Sequence, residues 1–286
     1  MPAKIHSDET GQIFRRFCRH RPALAGLFVI ILLLICAVFA PFIAPDDPYK
    51  IGSNFETAPD SEHLLGTDQV GRDVFSRLIY AARVSVIVGI GTVSVSTLLG
   101  VILGLEAGYF GGKADMIIMR IADIFMSFPS LILIMVISSI LGPGLDRIIL
   151  VLGILGWPAV ARLVRGSVLS VKQMDYTKSA VALGFGTGRI LFLHIMPNIA
   201  GPVLVQATFG IAGAILIESA LSFLGMGVNP PAASWGNMLT DAQSLTSLTG
   251  KPWLWIPPGL TILLCVLSFN FVGDGLRDAL DPKSIR

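Results

Sequence analysis

Six apolar runs govern what this chain can become. They cover residues 23–44, 84–107, 116–141, 148–163, 199–224 and 254–272. Each is close to the ~20 residues that a helix needs to cross a ~30 Å hydrocarbon core. Lipid offers no partner to a backbone N–H or C=O, so such runs must close their hydrogen bonds internally, as helices. Composition agrees. Hydrophobic residues make up 53% of the chain and charged ones 14%, against about 25% charged in soluble domains. A globule of 286 residues could not hide that much apolar surface, so lipid must be the solvent. The predicted fold class is an all-α integral membrane protein with six transmembrane helices and both termini cytoplasmic.

Charge sets the orientation. Arg15, Arg16, Arg19 and Arg21 precede the first run. Of the 21 Lys and Arg residues, only Lys50, Arg72, Arg77, Arg83, Arg147 and Lys251 fall outside in this topology, the asymmetry that the positive-inside rule expects. Asp46, Asp47, Glu56, Asp60, Glu62, Asp68 and Asp73 crowd the first external loop. Trp253 and Trp255 mark an external interface. The first run is too long for a cleaved signal, and Pro41 follows its best small-residue site. A formal net charge of +2 gives no case for nucleic acid. Cys18, Cys36 and Cys265 read as three free thiols.

The third run has a surplus. A helix over 114–141 would be about 42 Å long at 1.5 Å per residue, some ~12 Å beyond the core. The excess lies at its start, where Asp115, Arg120 and Asp123 can reach an interface or a wet cavity. Arg120 and Asp123 are one turn apart and can pair, and Pro129 should kink or thin the helix above them. Gly100, Gly104 and Gly108, with Gly210 and Ala214, recur at the spacing that lets helices approach closely.

Catalytic signals are missing. GYFGGKA at 108–114 imitates a phosphate loop but has Ala107 where the first glycine belongs and Ala114 where Ser or Thr must hold magnesium. It reads as a glycine turn between spans. His6, His20, His63 and His194 show no ligand spacing, and no Ser or Cys stands in a nucleophile elbow. The chain is not expected to be an enzyme by itself. Glu218 lies within GAILIESALSFLG. A buried carboxylate must be paired, protonated or wet, so it either lines a solute path, with Arg120 and Asp123 as further candidates, or makes a structural hydrogen bond. Glu106 should be solvated near the interface.

The polar interruption 164–198, VRGSVLSVKQMDYTKSAVALGFGTGRILFLHIMPN, falls inside the cell by the charge count. Asp175 can cap a helix starting at Tyr176. Tyr176, Ala180 and Gly184 then share a face at i, i+4, i+8, one aromatic followed by small residues, a shape that fits a groove. Gly184 and Gly186 end the helix. Ile190, Leu193 and a Met196-Pro197 corner lead back to the membrane.

At these residues the chain resembles the permease subunits of bacterial ABC importers. Their cytoplasmic loop carries an E-A-A pattern, a following Gly, and an I-x-x-x-x-x-x-P ending. Lys178-Ser179-Ala180 stands at the E-A-A place, and Gly184, Ile190 and Pro197 match. Because Lys178 replaces the acid, no salt bridge of that Glu carries over. Four further strings resemble the second permease of dipeptide/oligopeptide importers: HLLGTDQVGRDVFSRLIYAARVS (63–85), GYFGGKADMIIMRIADIFMSFPSL (108–131), ESALSFLGMGVNPPAASWGNML (218–239) and NFVGDGLRDALDPK (270–283). The resemblance implies the type I ABC importer permease fold. Residues 1–62 would hold the N-terminal segment, first span and external loop, and 63–286 a five-span core. It implies location in the bacterial inner membrane and a heterodimer with a homologous permease. It also implies two cytoplasmic ATPases that carry the ATP and magnesium, an external solute-binding protein, and no cofactor on this chain. Peptide is the expected cargo. Nickel or glutathione, which the same family carries, and a proton-coupled carrier using Glu218, Asp123 and Arg120 are the alternatives.

Overall fold

The computed structural model describes residues 3–280, with side chains from residue 11 onward. The His6 side chain and residues 281–283 of the last string lie outside that range. Every regular element described is helical, apart from one isolated antiparallel bridge between Thr67 and Asp73. Helix α1 (Ala3–Arg19) leads through His20 into α2 (Arg21–Val38), whose first turn is capped by His20 Nδ1 accepting from the Ala23 N–H at 3.1 Å. The first apolar run is not one helix. It breaks at Phe39 and resumes as α3 (Ala40–Ile43), with Pro41, which has no N–H to donate, in the first turn. Helix α4 (Val74–Phe110) starts at Asp73, whose carboxylate accepts from the Ser76 N–H at 2.7 Å. It stops where Gly111 and Gly112 take φ of +67° and +56°, a conformation only glycine adopts at little cost. The near-miss phosphate loop is therefore the glycine turn that the sequence suggested.

The third apolar run is broken. α5 (Gly112–Ser127) and α6 (Ser130–Leu141) meet at 88°. Phe128 is extended at φ −92°, ψ 145°, the conformation forced on a residue that precedes proline, and Pro129 cannot continue the hydrogen-bond ladder. The expected 42 Å helix becomes pieces of 16 and 12 residues, about 24 and 18 Å long, each short of the core on its own. Then come α7 (Leu145–Lys172), α8 (Asp175–Ala182), α9 (Thr187–Ile190), a π-helical turn over Leu191–Ile195, α10 (Met196–Phe223), α11 (Trp235–Met238), α12 (Leu245–Gly250) and α13 (Ile256–Leu280). Five helical stretches are each long and apolar enough to cross a membrane, and the bent α5–α6 pair would make a sixth.

α4 and α7 form the backbone of the bundle. Gly100, Gly104 and Gly108 lie against Val160, Val164 and Val168. A Cβ placed on Gly104 would stand 2.7 Å from the Ala161 carbonyl oxygen, closer than packed atoms tolerate, so the glycines are what lets the two backbones touch. Gly210 meets Val93 in the same way. At one end of the bundle the segments 44–73 and 225–255 pack together. Trp235, fully buried, donates from Nε1 to the Leu78 carbonyl at 3.2 Å, and Lys251 pairs with Glu56. At the other end lie α1, the α4–α5 turn and the loop around α8.

Candidate functional site

The loop between α7 and α10 is smaller than the polar interruption suggested. α7 continues to Lys172, so Val164 and Val168 are buried core rather than loop. Lys172 Nζ reaches back to the Tyr109 carbonyl at 2.6 Å and caps the end of α4. Asp175 is not the cap of α8 but its first residue, because Met174 takes the extended cap position with no side-chain bond. The Asp175 carboxylate thus acts on the helix dipole rather than on one N–H. The expected common face also divides. Ala180 and Thr177 point inward, 3% and 1% exposed, and Ala180 packs with the valines of α7 and with Ile190 and Ile195. Tyr176 stays outside at 42%, as do Val181 and Leu183. The outward face of α8 is therefore Tyr176, Val181 and Leu183 with exposed Lys178 and Ser179, while Ala180 fastens the helix to the bundle.

Gly184 ends α8 at φ +76°. Its N–H donates to the Val181 carbonyl at 3.0 Å and that of Phe185 to Ala180 at 3.1 Å, the paired bonds of a Schellman stop. Phe185 then packs on the core that holds Ala180. The expected corner at Pro197 is absent. Thr187 to Phe223 runs as one helical stretch. Proline cannot donate, and its ring needs space at the carbonyl four residues back. The π turn, in which the Met196 N–H bonds to the Leu191 carbonyl, widens the helix there. Ile190 and Ile195 are buried in the same core, so α8 is joined rigidly to both α7 and α10.

Two ion pairs brace α5 on α7. Asp115 takes both oxygens to Arg165, with Nη2–Oδ2 at 2.6 Å. Asp123 bonds to Arg162 at 2.5 Å, not to Arg120 as their spacing allowed. The helix–helix contact brings Arg162 closer, and Arg120 is exposed. Glu106 is also exposed. Glu218 is far from this group. It is fully buried, with Oε1 accepting from Ser222 Oγ at 2.7 Å and Oε2 enclosed without a partner. Ser222 Oγ in turn bonds to the Val228 N–H and to Ser234 Oγ. Glu218 thus sits beneath the 228–235 segment, and the three charges proposed for a path, Glu218, Arg120 and Asp123, do not come together.

The 44–73 segment is a charge framework. Asp68 accepts from the N–H groups of Val70 and Arg72 and from Arg72 Nε at 2.7 Å, with Arg77 Nε at 3.5 Å. Asp73 caps α4 and meets His63 Nδ1 at 3.1 Å. Asp46 lies near enough for the three side chains to surround a cation, a grouping that the linear spacing of the histidines hid. Capping and the His63 contact already account for Asp73. Asp241, from the 239–243 turn, is held up at a pKa of about 6, first by burial and then by the neighbouring Asp68 charge, against the pull of Arg77 and Arg72.

The family model for the binding-protein-dependent transport system inner membrane component matches residues 96–286, which include α8, its Schellman stop and all of the α7–α10 core. The chain belongs to that family. A second model, the N-terminal TM domain of oligopeptide transport permease C, matches residues 10–64 of this inner membrane component. The chain is 42% identical to the di/tripeptide transport system permease protein of Pseudomonas aeruginosa, over 99% of this chain and 95% of that one. It is 42% identical to the dipeptide permease of Alkalihalophilus pseudofirmus, over 95% and 89%. It is 43% identical to the oligopeptide permease of Bacillus subtilis, over 94% and 88%. As a binding-protein-dependent transport component it is a multi-pass permease subunit of a bacterial inner membrane.

Proposed function

We propose that this chain is one of two permease subunits in an ATP-driven importer of di- and oligopeptides. The similarity over nearly the whole chain to permeases named for di-, tri- and oligopeptide transport carries this reading. In it the chain crosses the membrane six times, the α5–α6 pair being the third crossing, with both termini and α8 in the cytoplasm. The basic cluster Arg15, Arg16, Arg19 and Arg21 supports that orientation. The outward face of α8, Tyr176, Val181 and Leu183, docks on a cytoplasmic ATPase, and Asp175, Ala180, Gly184, Ile190 and Pro197 hold that face in place. Anchorage on α7 and α10 lets a push on α8 tilt both spans together. The chain itself performs no catalysis and holds no cofactor. ATP and magnesium belong to two ATPase partners, and the 44–73 framework faces the solute-binding protein outside.

The test is uptake of labelled tripeptide by the complete importer in proteoliposomes loaded with ATP. Gly184→Arg should abolish uptake while the protein remains folded in the membrane. Full uptake by that variant would refute docking through α8. Persistence of uptake after an uncoupler, with a strict need for internal ATP, separates this reading from a proton-coupled carrier. For cargo, purified binding protein should bind a peptide panel; selective binding of nickel or glutathione would overturn the peptide assignment.

A further inference from the structure

Midway along the bundle, α4, α6, α7 and α10 line a half-open cavity of about 210 Å³, room for about seven waters at ~30 Å³ each. Its polar lining is Thr92, Ser96, Thr97, Ser130 and Gln206, and no charged or histidine side chain borders it. Thr92 is 5% exposed, and its hydroxyl is buried without a hydrogen-bond partner. Ser96 donates to the Val93 carbonyl at 3.2 Å, which leaves its oxygen able to accept. Among the described residues nothing bonds to the side chains of Thr97, Ser130 or Gln206. A buried, unpaired hydroxyl like that of Thr92 is costly away from water; Thr97 and Gln206 are half-buried beside it, and Ser130 is exposed at the rim. They make sense facing a polar guest.

The lining also says which guest. A lipid tail would waste every one of these groups. An ion would need charges or a cage of carbonyl oxygens. A carboxamide offers a donor and an acceptor side by side, matching the N–H and C=O of a peptide bond. Hydroxyls can serve either partner. Absence of charge disfavours peptide termini or a Lys or Glu side chain, whose desolvation nothing here would offset. Ser130 reaches the rim because the chain turns sharply at Pro129, and small residues at 210, 213 and 214 keep the α10 wall open.

We propose that this cavity is a cargo-binding site on the translocation path, taking an uncharged stretch of peptide main chain with small neutral side chains, and that Gln206, Thr92 and Thr97 are its polar contacts. The proposal rests on the peptide-importer reading above. It differs from the path through Glu218, Arg120 and Asp123 that the sequence suggested.

The experiment uses the complete importer in proteoliposomes with internal ATP, comparing Ala-Ala-Ala uptake with ATPase activity stimulated by the binding protein. Gly213→Leu fills the cavity. A Cβ at Gly213 meets nothing within 4 Å, so the variant should fold and assemble. It should lose tripeptide uptake, while stimulated ATPase activity persists. Gln206→Leu keeps the bulk and removes the amide, and should slow uptake about tenfold, the loss of one hydrogen bond to a buried group. Should Gly213→Leu fail to assemble, Gln206→Leu and Thr97→Val decide the matter alone. Wild-type uptake by the assembled variants would overturn the site. Failure of the wild-type importer to move any peptide would instead sink the importer reading, and is seen before any variant is compared.

Discussion

Gly184 shows how much one backbone conformation can carry. At φ +76° any L side chain costs about 1–2 kcal/mol, although the space around it is open. Gly184→Ala should therefore loosen the end of α8 by about 1 kcal/mol, read as faster hydrogen exchange at the Gly184 and Phe185 amides with no change elsewhere. The sequence did reveal this stop, because glycine after an amphipathic turn is a strong signal. It did not reveal that Ala180 points inward, since i, i+4 spacing gives a common side but not what stands opposite. Asp241 is the residue with a pH signature. Its pKa rises from 3.8 to about 6, so the folded chain holds a proton that the unfolded chain gives up. Its contribution is complete below pH 3.8 and is lost as pH rises through about 6. Asp68, Glu56, Arg72 and Arg77 face it. Asp241→Asn should flatten the melting temperature across that window and raise it at pH 7, as measured by thermal unfolding in detergent.

Among the elements, the α4–α7 seam depends on shape. Gly104→Leu would force its side chain into Val164 and the Ala161 backbone. Overpacking of this kind costs at least about 1–3 kcal/mol, so a lower melting temperature and poor assembly are expected; unchanged stability would mean that the seam is looser than the glycine contacts imply. The two ion pairs between α5 and α7 should behave differently. Asp123 and Arg162 are about half exposed, at 52% and 46%, and Asp123→Asn should change stability by less than about 0.5 kcal/mol. Asp115 and Arg165 are more enclosed and doubly bonded, and Asp115→Asn should cost about 1 kcal/mol. Denaturation of both variants side by side checks the order. The glycine stripe was legible in sequence because small residues at four-residue spacing have one use in lipid. The 88° break was half legible: Pro129 announced an interruption, but its angle depends on where α6 finds partners on α7.

For the whole molecule, the apolar runs determined an all-helical membrane chain, since lipid leaves the backbone no other way to satisfy its hydrogen bonds. The strings around Gly184 and in 63–85 pointed to the permease family that the comparisons bear out. Asp68 and Asp73 serve neighbouring N–H groups in a turn and a cap, as short carboxylates before a helical run do. Only the tertiary structure decided which side chains meet. It gave Asp123 to Arg162 rather than Arg120, enclosed Glu218 beneath the 228–235 segment, gathered Asp46, His63 and Asp73, and left Thr92 and Gln206 around one cavity. Those pairings join residues tens of positions apart. Local propensity and hydropathy act over a few turns of chain, whereas the contact of one helix with another is settled by the packing of the complete bundle.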